Sequence, residues 1–134
     1  MVLVLNSSPL IYLAKVGLLD LLGSLSEAKV IPRSVFDEVV VKGKEKGASD
    51  ALVVETVVDR GVIEVRTVQD MESLQDLLEV PGLHKADAEV LSLARELKGT
   101  AVVDDEKARS VADASGIRNR GAGHLLIRLQ RLGV

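Results

Sequence analysis

The sequence contains no cysteine. That excludes a disulfide, a thiolate nucleophile and a Cys-based zinc site, and it fits a cytoplasmic protein. Aromatic residues are almost missing too: Tyr12 and Phe36 are the two in 134 residues. Base stacking on aromatic rings is therefore not the expected mode of nucleic-acid binding. Any core must be built from Val, Leu, Ile and Ala. Positive charge is not in excess, since the net charge is −3. Binding to a polyanion would need a local basic patch rather than a bulk field. No apolar run reaches the roughly 18 residues of a membrane span. Residues 1–5 lack the charged start and cleavage site of a signal peptide. No membrane partner is expected.

What the chain does have is apolar aliphatic residue in short, spaced runs. It is 47% hydrophobic, enough for a sizeable core, and its length fits a single domain over 1–134. The runs VLVL (2–5), AKVI (28–31), VIEV (62–65) and AVVD (101–104) read as buried strands. They are Val/Ile-rich and near-continuous, as parallel strands covered on both faces tend to be. Helical patterns lie between them. Ser7 or Ser8 is placed to cap the first, with Pro9 in its opening turn. Pro32 opens a second, running through SVFDEVV toward Lys42. In GASDALVVETVVDRG the cap falls on Ser49 or Asp50 and Gly61 is the stop. MESLQDLLE precedes Pro81. HKADAEVLSLARELKG ends on Gly99 and DEKARSVADASG on Gly116. A last helix runs from about Ala122 to Leu132. No repeat or linker interrupts the pattern. Alternating strands and helices predict a three-layer α/β/α sandwich around a mostly parallel sheet of four to five strands.

In such sheets ligands bind beyond the carboxyl ends of the strands. Two strand ends are polar: VLVL runs into Asn6-Ser7-Ser8, and AVV into Asp104-Asp105. The helix between them adds a third feature. With Leu83 set to zero, Asp87 falls at about 40°, inside the apolar stripe, whereas Glu89 falls at about 240°, outside it. A carboxylate there is costly unless it is paired, protonated or bound to a cation. A satisfied Asp paired with an Arg or a helix N-terminus is one reading; a metal ligand at the sheet's mouth is the other. Glu38 borders the Val35/Val39 face but also stands four residues before Lys42, an ion-pair spacing. Asp105 likewise has Arg109 at i+4, or serves the start of its helix. Asp87, Asp104 and Glu38 are hard oxygen ligands, which favour Mg²⁺ or Mn²⁺ over zinc. Clustered carboxylates around such ions suit phosphodiester hydrolysis.

These residues, in this order, resemble the PIN-domain ribonucleases, especially the VapC-like toxins and their archaeal and bacterial relatives with an Asn-x-Ser start. "NSSPLIYLAKVGLLDLL", "VIPRSVFDEVV", "KADAEVLSLAREL" and "VVDDEKARSVADASGI" carry the likeness across essentially the whole chain. The resemblance implies Mg²⁺- or Mn²⁺-dependent cleavage of RNA. It maps the family's acidic quartet onto Asn6, Glu38, Asp87 and Asp104, with Asp105 as an auxiliary and Ser7 or Ser8 as the hydroxyl near the first acid. It also implies a homodimer and, for a toxin, a small antitoxin protein as partner. Asn6 departs from the pattern, because most members carry Asp there. An amide oxygen still ligates a hard cation, but the site loses one of four negative charges.

The C-terminal stretch RNRGAGHLLIRLQRLGV is basic. On a helix His124, Arg128 and Arg131 fall within roughly 60° of one another, with Arg118 and Arg120 just upstream. They read either as a phosphate-contacting stripe or as a solvated face whose arginines favour the helix dipole. His124 is weighed as a ligand or base and set below both. Two further functions compete with the nuclease. One is a PIN-fold module that binds RNA or protein without cutting, suggested by Asn6. The other is a phospho-accepting receiver domain, which would carry its acidic pair on the first strand.

Overall fold

The computed structural model describes residues 1–132; the last two residues of the expected 1–134 domain lie outside the described residues. Strand β1 (Val2–Leu5) leads through helix α1 (Ser7–Lys15) and a 3₁₀ segment (Leu19–Ser24) to β2 (Ala28–Pro32). Next come α2 (Arg33–Phe36), a π-helical segment (Asp37–Val41) and α3 (Lys42–Glu45), then α4 (Ser49–Asp59) and β3 (Glu64–Arg66). The chain continues with α5 (Met71–Leu78), α6 (Lys85–Glu96), β4 (Thr100–Val102), α7 (Glu106–Ala114), β5 (Arg118–Arg120) and α8 (Ala122–Leu132).

The five strands form one sheet in the order β3-β2-β1-β4-β5, parallel throughout. The layers follow from the two-residue period of a strand. Leu3, Thr100 and Arg118 stand in register, and so do Val4, Ala101 and Asn119 one step on. The row containing Asn119 faces α7, which its side chain touches. On that side α6 packs across β1, β2 and β4, flanked by α5 and α7. On the other side α1, α4 and α8 pack together with the 3₁₀ segment. This is a three-layer α/β/α sandwich. Its core is aliphatic, with Leu5, Leu10, Leu13, Leu22, Ile31, Leu91, Leu93 and Leu129 among its fully buried side chains. Among the described residues no helix is long and apolar enough to cross a membrane.

Several local expectations change. Asn6, not Ser7 or Ser8, caps α1: its Oδ1 accepts from Ser7 N at 2.9 Å. The residue before α4 is Ala48, with no side-chain cap, so neither Ser49 nor Asp50 fills that place. Lys98, not Gly99, takes the positive φ (55°) after α6. Gly99 is needed for a different reason, since a Cβ there would collide with the Val2 carbonyl oxygen. No apolar run marks β5 as a strand. Arg118, Asn119 and Arg120 look unlike a buried strand because β5 is the sheet's edge, where alternate side chains reach solvent. The helix from Pro32 toward Lys42 is not uniform. Lys42 N–H bonds to the Asp37 carbonyl, five residues back, which widens the turn carrying Glu38.

Candidate active site

Strand order sets the location. The chain builds outward from β1 to β2 and β3, then returns to the other flank of β1 with β4 and β5. The order therefore reverses between β1 and β4, where a crevice opens beyond the carboxyl ends. Asn6 follows β1 and Asp104 follows β4, and Asn6 N–H donates to the Val102 carbonyl at 3.0 Å. A pocket of about 260 Å³ sits there, lined by Asn6, Ser7, Ser8, Glu38, His84, Ala86, Asp87, Asp104 and Asp105. All four residues of the expected quartet thus border one cavity, with both serines and Asp105.

Asp87 lies in the first turn of α6 and is only 5% exposed. Its partner is Asn6, whose Nδ2 donates to Asp87 Oδ1 at 2.6 Å. The amide has one sensible orientation. Turned over, its oxygen would meet a carboxylate oxygen and its nitrogen the Ser7 N–H. Asn6 therefore caps α1 and holds Asp87 together. The contact is an N–H to a carboxylate, which is short and strong. An Asp at position 6 would instead set two carboxylates against each other.

The remaining carboxylates are more open. Asp104, expected to end a buried strand, lies beyond β4 and is exposed. Its Oδ1 accepts from Ala122 N at 2.7 Å, tying the pocket to the start of α8. Gly121 makes this close approach: a Cβ there would stand 3.2 Å from Asp104 Oδ1 and 3.4 Å from Arg109 Nη1. Asp105 caps α7, its Oδ2 accepting from Ala108 N at 3.0 Å. Arg109 does not pair with Asp105 among the described residues. Its Nε donates to Asn119 Oδ1 at 3.3 Å, and Asn119 Nδ2 donates to Asp113 Oδ1 at 2.7 Å. Glu38 is exposed on the π segment and forms no ion pair with Lys42 there; Arg33 pairs with Asp37 instead, at 3.2 Å. Ser7 Oγ is buried with no hydrogen-bond partner.

The donor set suits a hard cation. One oxygen each of Asp87 and Asp104 accepts a hydrogen bond, and the second oxygen of each has no hydrogen-bond partner among the described residues. The orphaned Ser7 hydroxyl adds a neutral oxygen. Among the described residues no three acidic or histidine side chains converge tightly enough to hold an ion by themselves. His84, at the residue before α6, also lines the pocket and was not singled out in the sequence. Its signal was position: it stands three residues before Asp87.

The basic residues gather elsewhere. Arg118, Arg120, His124 and Arg128 line a cleft of about 280 Å³ with Glu27, Leu3 and Val102. This cleft shares no lining residue with the acidic pocket. Arg128 is already engaged, its Nη1 and Nη2 donating to Glu27 at 2.6 and 3.0 Å. That bidentate contact is the main reason the Glu27 carboxyl is held below its ordinary range. Arg131 is exposed further along α8 and does not line the cleft.

A family model described as a PIN domain matches residues 2–134. No curated protein matches. Among solved structures, the chain is similar to the PilT N-terminus domain protein SSO1118 from the hyperthermophilic archaeon Sulfolobus solfataricus P2. The TM-score is 0.65 and the identity 22%, over 96% of this chain and 93% of that one. It is also similar to PAE2754 from Pyrobaculum aerophilum, with a TM-score of 0.68 and 17% identity, over 98% and 99%.

Proposed function

Because the chain belongs to the PIN-domain family, whose members are commonly nucleases, we propose that it is a Mg²⁺- or Mn²⁺-dependent endoribonuclease. The observation that carries this reading is Asp87, buried at 5% exposure yet bordering a pocket at the sheet's switch point. Asp87 and Asp104 would hold the ion, with Glu38 at the pocket's edge as a third oxygen or as the group that orients water. When bound, such an ion supplies Lewis-acid activation of water and of the phosphate. Asn6 fixes the Asp87 carboxylate through its 2.6 Å hydrogen bond and adds no charge. Ala122 N–H fixes Asp104 in the same way. Arg109, expected as an auxiliary, does not line the pocket; its guanidinium lies near Gly121 and bonds to Asn119.

The family resemblance also supports the role of toxin in a toxin-antitoxin pair, acting as a homodimer. Tyr12 on α1, Val16 just after it, and Leu52 and Val53 on the adjacent α4 are exposed, which suits a protein contact with an antitoxin or a second copy. A second reading has one observation in its favour. The Asn6 amide already satisfies Asp87 without an ion, as it would in a PIN-fold module that binds without cutting. The receiver-domain reading is set aside by the family match. Cleavage of single-stranded RNA in Mn²⁺ by the wild type, lost in Asp104→Asn, is the expected result. Equal cleavage by both proteins would sink the nuclease reading. Activity that appears only in Asn6→Asp would favour the binding module.

A further inference from the structure

We infer that the groove between the π segment and the start of α6 is the seat of the RNA backbone next to the cut. It binds a phosphodiester through Lys42 and Lys85. The inference rests on the reading of the acidic pocket as an RNA-cutting site. The groove has a volume of about 610 Å³ and is continuous with that pocket, sharing Glu38, His84 and Ala86 with it. Its two lysines are exposed and form no ion pair among the described residues. The acid that would have neutralised Lys42 from one turn back, Glu38, does not reach it, and Asp37 is taken by Arg33.

The groove offers further donors. The 12-residue α6 begins at Lys85 with no side-chain cap, so the N–H groups of its first turn meet no side-chain acceptor. Ser34 Oγ, on the groove wall, is buried without a partner, and so is Ser7 Oγ in the adjoining pocket. Unpaired cations, free N–H groups and orphaned hydroxyls are what an anion satisfies.

Continuity decides the kind of anion. The acidic pocket repels a phosphate until an ion or a neighbouring cation offsets its carboxylates. A polyanion that places one phosphate there must place the next in an adjacent opening, and the lysine groove is that opening. The arginine cleft is less suited. It shares no lining residue with the acidic pocket, whereas the lysine groove shares three, and Arg128 is held by Glu27.

The test measures binding of a non-cleavable 2′-O-methyl oligoribonucleotide in Mg²⁺, across a salt series, so that binding is read apart from cleavage. Wild type is compared with Lys42→Ala/Lys85→Ala and with Arg118→Ala/Arg120→Ala, each checked for an unchanged melting temperature. The lysine pair should weaken binding by at least about tenfold. It should also flatten the log-log salt slope by roughly 0.7 per lysine. The arginine pair should change affinity by less than about twofold. An unchanged affinity in the lysine variant, an equal loss in the arginine variant, or no binding by wild type overturns the inference. Cleavage of ordinary RNA in Mn²⁺ separates the two claims. Lysine-dependent binding without cleavage removes the nuclease reading and leaves the groove. Cleavage with KM unchanged in the lysine variant removes the groove and leaves the nuclease.

Discussion

The acidic pocket and the arginine cleft are of similar volume, and each gathers charge of mainly one sign. They differ in how their polar groups are satisfied. In the cleft the least exposed charges cancel: Glu27, with a side chain 13% exposed, accepts two hydrogen bonds from Arg128. That joins α8 to the start of β2 and takes Arg128 out of the cleft's free charge. In the pocket, four carboxylates line one cavity with no ion pair among the described residues; Asp87, Asp104 and Asp105 accept from neutral N–H groups instead, and a buried serine hydroxyl has no partner. A neutral N–H leaves each carboxylate its full negative charge, and that uncancelled charge beside an orphaned hydroxyl is what supports the proposed metal site. The sign of a patch says less than whether its charges are already spoken for.

The largest expected effect lies on the pocket side. Asp104→Asn keeps an acceptor for Ala122 N–H but loses the charge. Cleavage in Mn²⁺ should fall by about 100-fold or more, since even the outer partners of metal ligands are worth 10–100-fold. Melting temperature should barely change. Loss of fold instead of activity would make Asp104 a structural cap and erase the contrast with the cleft.

Arg128→Ala should do the opposite. It leaves the largely covered Glu27 carboxylate unpaired and should cost about 1–3 kcal/mol of stability in denaturant unfolding. RNA affinity should stay within about twofold. A large affinity loss at unchanged stability would return the cleft to the RNA-binding surface.

Asn6→Asp sharpens the pocket. Two carboxylates would replace an N–H···O contact of 2.6 Å, so one must protonate or a cation must enter. In EDTA the variant should be less stable by about 1–2 kcal/mol, and Mn²⁺ should restore it. A thermal melt with and without the metal reads this. A variant as stable as wild type in EDTA would show that Asn6 does not manage repulsion.

The smallest effect is the pH dependence of the Glu27–Arg128 pair. The ordinary Glu pKa is 4.5, and in the fold Arg128 holds it lower. Between those two values the unfolded chain binds more protons, so stability there rises with pH. The contribution is fully present above 4.5 and is lost as pH falls through the lowered folded value. It should amount to about 1 kcal/mol at most, since the partly exposed guanidinium is screened. The difference in melting temperature between wild type and Glu27→Gln should shrink on acidification across that window. A constant difference down to the acid limit would mean the pair adds no pH-dependent stability.

Much of the fold was legible because period and composition are local. Residues 2–5 and 28–31 read as strands from their apolar runs, although Pro32, read as opening a helix, ends β2 instead, and the α6 stripe was plain from its spacing. β5 was hidden because an edge strand needs no apolar run; Arg118–Arg120 is a strand only because β4 lies beside it. The site was legible where burial conflicts with charge, as at Asp87. His84, Lys42 and Lys85 carried no such conflict. Charged residues at a helix start or on a helical face read as solvated, and only the neighbouring wall makes a groove of them.

The sequence by itself determined the alternation of strand and helix, the aliphatic core and the polar ends of β1 and β4. These follow from hydrophobic spacing and short-range backbone preference. The tertiary structure decided which polar groups meet. It set Asn6 against Asp87 across 81 positions and Arg128 against Glu27 across 101. Hydrogen bonds and ion pairs act over a few ångströms, and the chain brings such distant residues that close only after its core has packed.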